Sequence, residues 1–141
     1  FDLPALFRAE VGDFIKLAAR EQGNAVLLQA AREVVLPRYR SIDERLSIVP
    51  AIGQKRANET LLACISEYPT PMDDAAQMAS AIPEGWGWSS HTAGYEDCVA
   101  AAKGGVPVIE KHLRLSADDR EAPWSLDGFD FGRMVKECSA F

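Results

Sequence analysis

The stretch GWGWSSHTAGYEDCVAAAKGGVPVIEKH, residues 85–112, carries one full repeat of the fold and both histidines of the chain. GWGWSS (85–90) is a short apolar run that suits a strand covered on both faces. YEDCVAAAKGG (95–105) reads as a helix stopped by a glycine pair. PVIEKH (107–112) is a second strand-like run. Strand, helix and strand in this order predict a βαβ unit with parallel strands and a right-handed crossover.

The same rhythm extends toward the N-terminus. FIKLAA (14–19), EVVLPRY (33–39) and ETLLACI (59–65) are further apolar, β-rich runs, so successive strand starts lie 19, 26, 26 and 22 residues apart. Helix-like segments fill the gaps. NAVLLQAAR (24–32) has Asn24 as a candidate cap, and DERLSIVPAIGQKRA (43–57) is interrupted by Pro50. DDAAQMASAI (73–82) opens on two aspartates suited to a helix N-terminus, and LDGFDFGRMVKECSAF (126–141) is amphipathic and closes the chain. An open doubly wound sheet and part of a (β/α)8 barrel both fit this repetition. A whole barrel takes about 250 residues, so about five parallel strands with flanking helices make a partial TIM barrel. No Gly-rich phosphate loop follows the first strand, which counts against a dinucleotide-binding sheet.

At 141 residues, 48% hydrophobic and 26% charged, the chain reads as one domain over 1–141 of an ordinary water-soluble kind. The net charge of −6, with scattered basic residues, argues against nucleic acid and acidic membranes as partners. No apolar run approaches the ~20 residues needed to cross a bilayer. The opening FDLPALFRAE lacks the pattern of a secretory leader. Cys64, Cys98 and Cys138 form no paired spacing and read as reduced thiols, so the expectation is a cytoplasmic protein.

Ligands of parallel α/β folds sit at the carboxyl ends of the strands. Those ends hold Lys16 to Glu21; Arg38, Tyr39 and Arg40; Ser66, Glu67 and Tyr68; Ser89, Ser90 and His91; and Glu110, Lys111 and His112. Both histidines thus share one rim. Imidazoles on strands ~4.8 Å apart can converge on one divalent ion, or each can simply cap its strand or bond a backbone carbonyl. Alternation puts Glu110 on the face of His112, as a third ligand or a partner to one. Lys16 within an apolar run implies an anion, a rim position or a pairing with Glu21 or Glu110. Glu21 could orient a substrate or move a proton. Arg38 and Arg40 project on one side, as an anion clamp or as surface residues. The prolines of SEYPTP (66–71) present Ser66 and Tyr68 rigidly, at a binding rim or in a structural turn. Trp86 and Trp88 read as core.

ISEYPTPMDDA, WSSHTAGYEDCVAAAKGG and VIEKHLRL together resemble the sialic acid synthase (N-acetylneuraminate synthase) family, whose members read C-x-S-x-Y-P-T-P, G-L-S-D-H-T-x-G and V-I-E-K-H-F-T-L in this order. DFIKLAAREQGN is similar to the family strand that carries a Lys and a Glu. The resemblance covers nearly the whole chain and implies strands 4–8 of a (β/α)8 barrel. It implies condensation of phosphoenolpyruvate with an N-acetylated amino sugar, assisted by a divalent ion, Mn2+ or Mg2+. By position, His91 and His112 would hold the ion, and Lys16, Glu21 and His91 would be the catalytic residues. Lys16 would hold phosphoenolpyruvate, with Ser89 beside its phosphate or carboxylate. Glu21 would face the sugar, and Ser66 and Tyr68 would line the pocket.

The chain also departs from that pattern. Ala19 replaces a serine, Pro37, Arg38 and Tyr39 replace an S-T-G phosphate turn, and Ser90 replaces the Asp of S-D-H-T. The segment REAPWSL (120–126) stands for a longer one that carries an aspartate. The first three family strands and the C-terminal antifreeze-like domain have no counterpart in these residues. A longer parent chain or a symmetric partner, in a homo-oligomer, would have to supply them. Two other readings follow: a degenerate barrel kept for binding or assembly, or a metal-dependent hydrolase or aldolase on the same scaffold.

Overall fold

Five parallel strands form one sheet in the order of the sequence: β1 (Lys16–Leu17), β2 (Glu44–Ser47), β3 (Glu59–Ala63), β4 (Gly87–Ser90) and β5 (Ile109–Lys111). The computed structural model describes residues 59–141, with side chains from Thr60 onward; before them it describes Val26 and the backbone of β1 and β2. Strand order separates the two architectures left open above. A doubly wound sheet reverses direction at a switch point. Here each strand pairs with its predecessor without reversal, as in a (β/α)8 barrel.

Most strand readings hold. FIKLAA, ETLLACI, GWGWSS and PVIEKH contain β1, β3, β4 and β5. Glu44–Ser47 is a correction, because it lies in the segment read as the helix DERLSIVPAIGQKRA. Backbone pairing explains the difference. The segment lies between β1 and β3, matching Arg45 to Lys16 and Glu44 to Glu59, so both flanks of its backbone are satisfied. Pro50 also disfavours helix just downstream. EVVLPRY (33–39) lies outside the described residues. In NAVLLQAAR, Val26 is helical and exposed.

Three helices follow in the described region: α1 (Met72–Ala79), α2 (Glu96–Lys103) and α3 (Gly128–Cys138). Asp73 and Asp74 occupy the first turn of α1, where the helix dipole favours negative charge. Gly104 caps α2, and Gly105 follows at φ 77°, a left-handed turn that glycine adopts without strain. Asp127 caps α3 by accepting a hydrogen bond from the Asp130 N–H at 2.9 Å.

The core lies between sheet and helices. Trp88 of β4 and Ala63 of β3 pack against Ala75 and Ala79 of α1, Cys98 and Ala101 of α2, and Met134 of α3. Small residues on α1 and α2 let the helices approach the sheet closely. From Thr60 to Cys64 every residue is buried, as expected of a strand covered on both faces.

Gly87 is fixed by space. A Cβ there would lie 2.4 Å from Leu62 Cδ2 and 2.6 Å from the Val108 carbonyl oxygen. The leucine could rotate, but the backbone oxygen cannot. Gly87→Ala is therefore expected to cost about 2–3 kcal/mol of unfolding free energy in urea denaturation, the upper range for overpacking.

Candidate metal centre

β4 and β5 are in register, with Ser89 opposite Glu110 and Ser90 opposite Lys111. Because side chains alternate across a strand, Ser89, His91, Glu110 and His112 share one face. The Ser89 hydroxyl donates to Glu110 Oε1 at 2.9 Å, and the two imidazole centroids lie 5.6 Å apart. One nitrogen of each histidine and one carboxylate oxygen of Glu110 lie within 4.8 Å of one another. Two imidazoles and a carboxylate form a donor set that suits a divalent ion of the manganese-to-zinc series.

Both rings are held by their Nδ1 atoms. His91 Nδ1 lies 2.7 Å from the Ile65 carbonyl oxygen, which can only accept, so Nδ1 carries the hydrogen. In the neutral ring the lone pair is then on Nε2, 3.3 Å from Ser89 Oγ. The bond to a backbone carbonyl, weighed above as an alternative to metal binding, thus selects the tautomer a ligand needs. His112 Nδ1 is 2.8 Å from Glu121 Oε2, a carboxylate that fixes the second ring in the same way.

The turn after β3 closes one side. The Thr70 N–H donates to the His91 carbonyl at 2.9 Å, and the Thr70 hydroxyl donates to the Glu67 carbonyl at 2.7 Å. SEYPTP is thereby tied to the end of β4 and sets Tyr68 against His91, with ring centroids 4.2 Å apart. Trp124 stands edge-on to both Tyr68 and His112, at 5.4 and 6.5 Å.

Of the residues singled out from sequence, His91, His112, Glu110, Ser89 and Tyr68 come together. Ser66 is exposed on the same turn. Lys16 is in β1 by its backbone, while Glu21, Arg38 and Arg40 lie outside the described residues. Ser90 and Lys111 require a correction. Both sit at strand ends, yet they point into the layer between sheet and helices, where Lys111 Nζ donates to Ser90 Oγ at 3.0 Å. Burial pushes the Lys111 ammonium below the usual lysine range, and the Asp97 carboxylate opposes that shift. Cys98 lies in the same layer, where burial first and Asp97 second push its thiol up to about 12. It is therefore an inert core residue at neutral pH. None of the three cysteines forms a disulfide, and no described helix is long and apolar enough to cross a membrane.

Glu121 and Trp124 were not legible as site residues. The segment 120–126 is without the aspartate of the family pattern, and Glu121 within it brings a different carboxylate to His112 Nδ1. A bridge between Leu113 and Leu126 closes the loop, with the Leu126 N–H donating to the His112 carbonyl at 3.0 Å. A 3-10 turn, Ala122–Trp124, then folds the intervening residues back over His112. The glutamate following a loop of charged residues was the one available signal.

Comparison with known proteins extends this geometry. A family model described as the NeuB family matches residues 12–141. The N,N'-diacetyllegionaminic acid synthase of Campylobacter jejuni subsp. jejuni serotype O:2 is 38% identical over 79 residues, 52% of this chain and 24% of its own. The N-acetylneuraminic acid (sialic acid) synthetase of Leptospira borgpetersenii serovar Hardjo-bovis, solved with citrate, has a TM-score of 0.78 at 24% identity, covering 99% of this chain and 54% of its own. The spore coat polysaccharide biosynthesis protein E of Chromobacterium violaceum has a TM-score of 0.70 at 20% identity, covering 97% and 45%. The chain thus spans about a quarter of the curated relative and about half of each solved one. The two structures establish the fold as part of a (β/α)8 barrel.

Proposed function

The chain belongs to the NeuB family, and from that membership we propose that it forms the ion-binding side of a synthase that condenses phosphoenolpyruvate with an N-acetylated amino sugar. The product would be a nonulosonic acid of the sialic or legionaminic type. One observation carries the reading: His91, Glu110 and His112 bring three donor atoms within 4.8 Å, with Nδ1 of each ring already engaged.

In this reading His91 and His112 hold Mn2+ or Mg2+, with Glu110 as the third donor. The ion supplies a Lewis acid for the sugar's carbonyl oxygen. Ser89 holds Glu110 in place and lies next to His91, so it can turn its hydroxyl toward an arriving carboxylate or phosphate. Tyr68 covers His91 and limits water there, which strengthens every charge interaction at the site. Lys16 binds the phosphate of phosphoenolpyruvate, and Arg38 and Arg40 take the place of the S-T-G turn. By the family resemblance Glu21 would serve the sugar, and Ser66 would line the pocket with Tyr68. The remaining barrel strands come from a longer chain or a partner subunit, and three cysteines outside any disulfide favour a cytoplasmic setting.

Two experiments test this. Incubating the full-length protein with phosphoenolpyruvate, Mn2+ and N-acetylated amino sugars is expected to release phosphate and give a product heavier than the sugar by the pyruvate unit. No phosphate release with any such sugar would remove the synthase reading. Glu121→Ala is expected to weaken Mn2+ binding about 10–100-fold, as for other residues that orient a metal-bound histidine. Its side chain is 53% exposed, so thermal stability should change little. Unchanged Mn2+ affinity would count against Glu121 as the orienting group.

A further inference from the structure

On the helix-facing side of β4 and β5, opposite the histidines, lies a buried polar cluster that the proposed chemistry does not use. Asp97 of α2 is fully buried, and Lys111 is 9% exposed. Asp97 Oδ2 accepts from Trp88 Nε1 at 2.8 Å, and Oδ1 accepts from the Thr92 hydroxyl at 3.0 Å. Lys111 Nζ donates to Ser90 Oγ at 3.0 Å, to the Thr92 carbonyl, and to Thr92 Oγ1 at 3.3 Å. Thr92 Oγ1 thus lies between the ammonium and the carboxylate, its one hydrogen shared between Asp97 Oδ1 and the Gly94 carbonyl at 2.9 Å.

We propose that Asp97 and Lys111 are positioning residues for the histidine pair, acting through Ser90 and Thr92 from the opposite side of the sheet. The placement carries the inference. Ser90 and Thr92 flank His91, and both are bonded to Lys111. Lys111 lies between Glu110 and His112 on the other strand. Every candidate ion donor therefore has a clamped residue beside it in the chain. Trp88 and Asp97 anchor the cluster to α2. Buried ion pairs add little stability compared with well-packed apolar residues, whereas a donor set must be held within about 0.5 Å to bind well. Ser90 stands where the family motif has Asp, and Asp97 on the helix supplies a carboxylate that reaches the ammonium only through Thr92.

The inference rests on the proposed ion site, and its test separates the two. Asp97→Asn removes the charge and keeps the size. It is expected to weaken Mn2+ binding about 10–100-fold and to mix the His91 tautomers in ring-nitrogen NMR. Adding Ser90→Asp places a carboxylate on Lys111 Nζ and should restore both readouts. Thr92→Val, which removes the bridging hydroxyl at nearly constant volume, should reproduce the loss if Asp97→Asn does not fold. Mn2+ affinity within twofold of the parent in the folded variants, with the Nδ1–H tautomer of His91 intact, overturns the proposal. So does a failure of Ser90→Asp to rescue Asp97→Asn. If the parent itself binds no Mn2+, the synthase reading fails, and the His91 tautomer still decides the clamp.

Discussion

His91→Ala and His112→Ala are each expected to lower Mn2+ affinity by more than about 100-fold, beyond the range seen when only an orienting partner is lost. With three donors from the protein, losing one leaves a two-point site that water competes with easily. Glu110 would remain, but it already counts as one of the three donors and so does not replace a lost imidazole. The mutants differ in their side effects. His91 is 4% exposed and its Nδ1 bonds the part-buried Ile65 carbonyl, so its removal deprives that acceptor of its imidazole donor and should cost about 1–3 kcal/mol of stability. The His112 side chain is 24% exposed, so its variant should remain close to the parent. Calorimetric Mn2+ titration beside urea denaturation reads both quantities. A subunit kept only for assembly would bind no stoichiometric Mn2+ and would show the stability change alone.

Trp88→Ala has the largest expected effect on folding, about 3–5 kcal/mol for loss of a large aromatic from a core. The indole is 1% exposed among Ala63, Ala75, Ala79, Cys98 and Ala101, and alanines have no atoms to spare for filling the space. The change also leaves the buried Asp97 Oδ2 without its donor. Against a domain stability of about 5–15 kcal/mol, the loss is a substantial fraction. Trp88→Phe keeps most of the volume and removes the N–H, so it should cost less than the alanine variant. Urea midpoints of the three full-length proteins measure the ranking. Equal losses in the two variants would mean that the hydrogen bond, not the packing, dominates.

What the sequence disclosed follows from which interactions are local. The βα rhythm is visible because each strand is a continuous apolar run, and the histidine pair is visible because alternation along VIEKH and WSSHT is a one-strand property. Glu44–Ser47 escaped because its strand character comes from β1 and β3, far away in the chain. Glu121 escaped because it reaches His112 across a bridged loop, through the Leu113–Leu126 closure. Lys111 looked like a rim residue by position. Its neighbours across the sheet, Ser90 and Thr92, and Asp97 on a helix reveal its burial. The core reading of Trp88 held, because an aromatic between two strand-length apolar neighbours has few other places to go.

The alternation on β4 and β5 has an evolutionary consequence. On one strand the odd-numbered residues lie on the face of the candidate ion donors and the even-numbered ones face the helices; on the other the parity is reversed. A single inserted or deleted residue in either strand would exchange the two sets, turning a lysine into the mouth and a histidine into the core. Descendants of this gene can therefore change many letters here, but they must conserve the count.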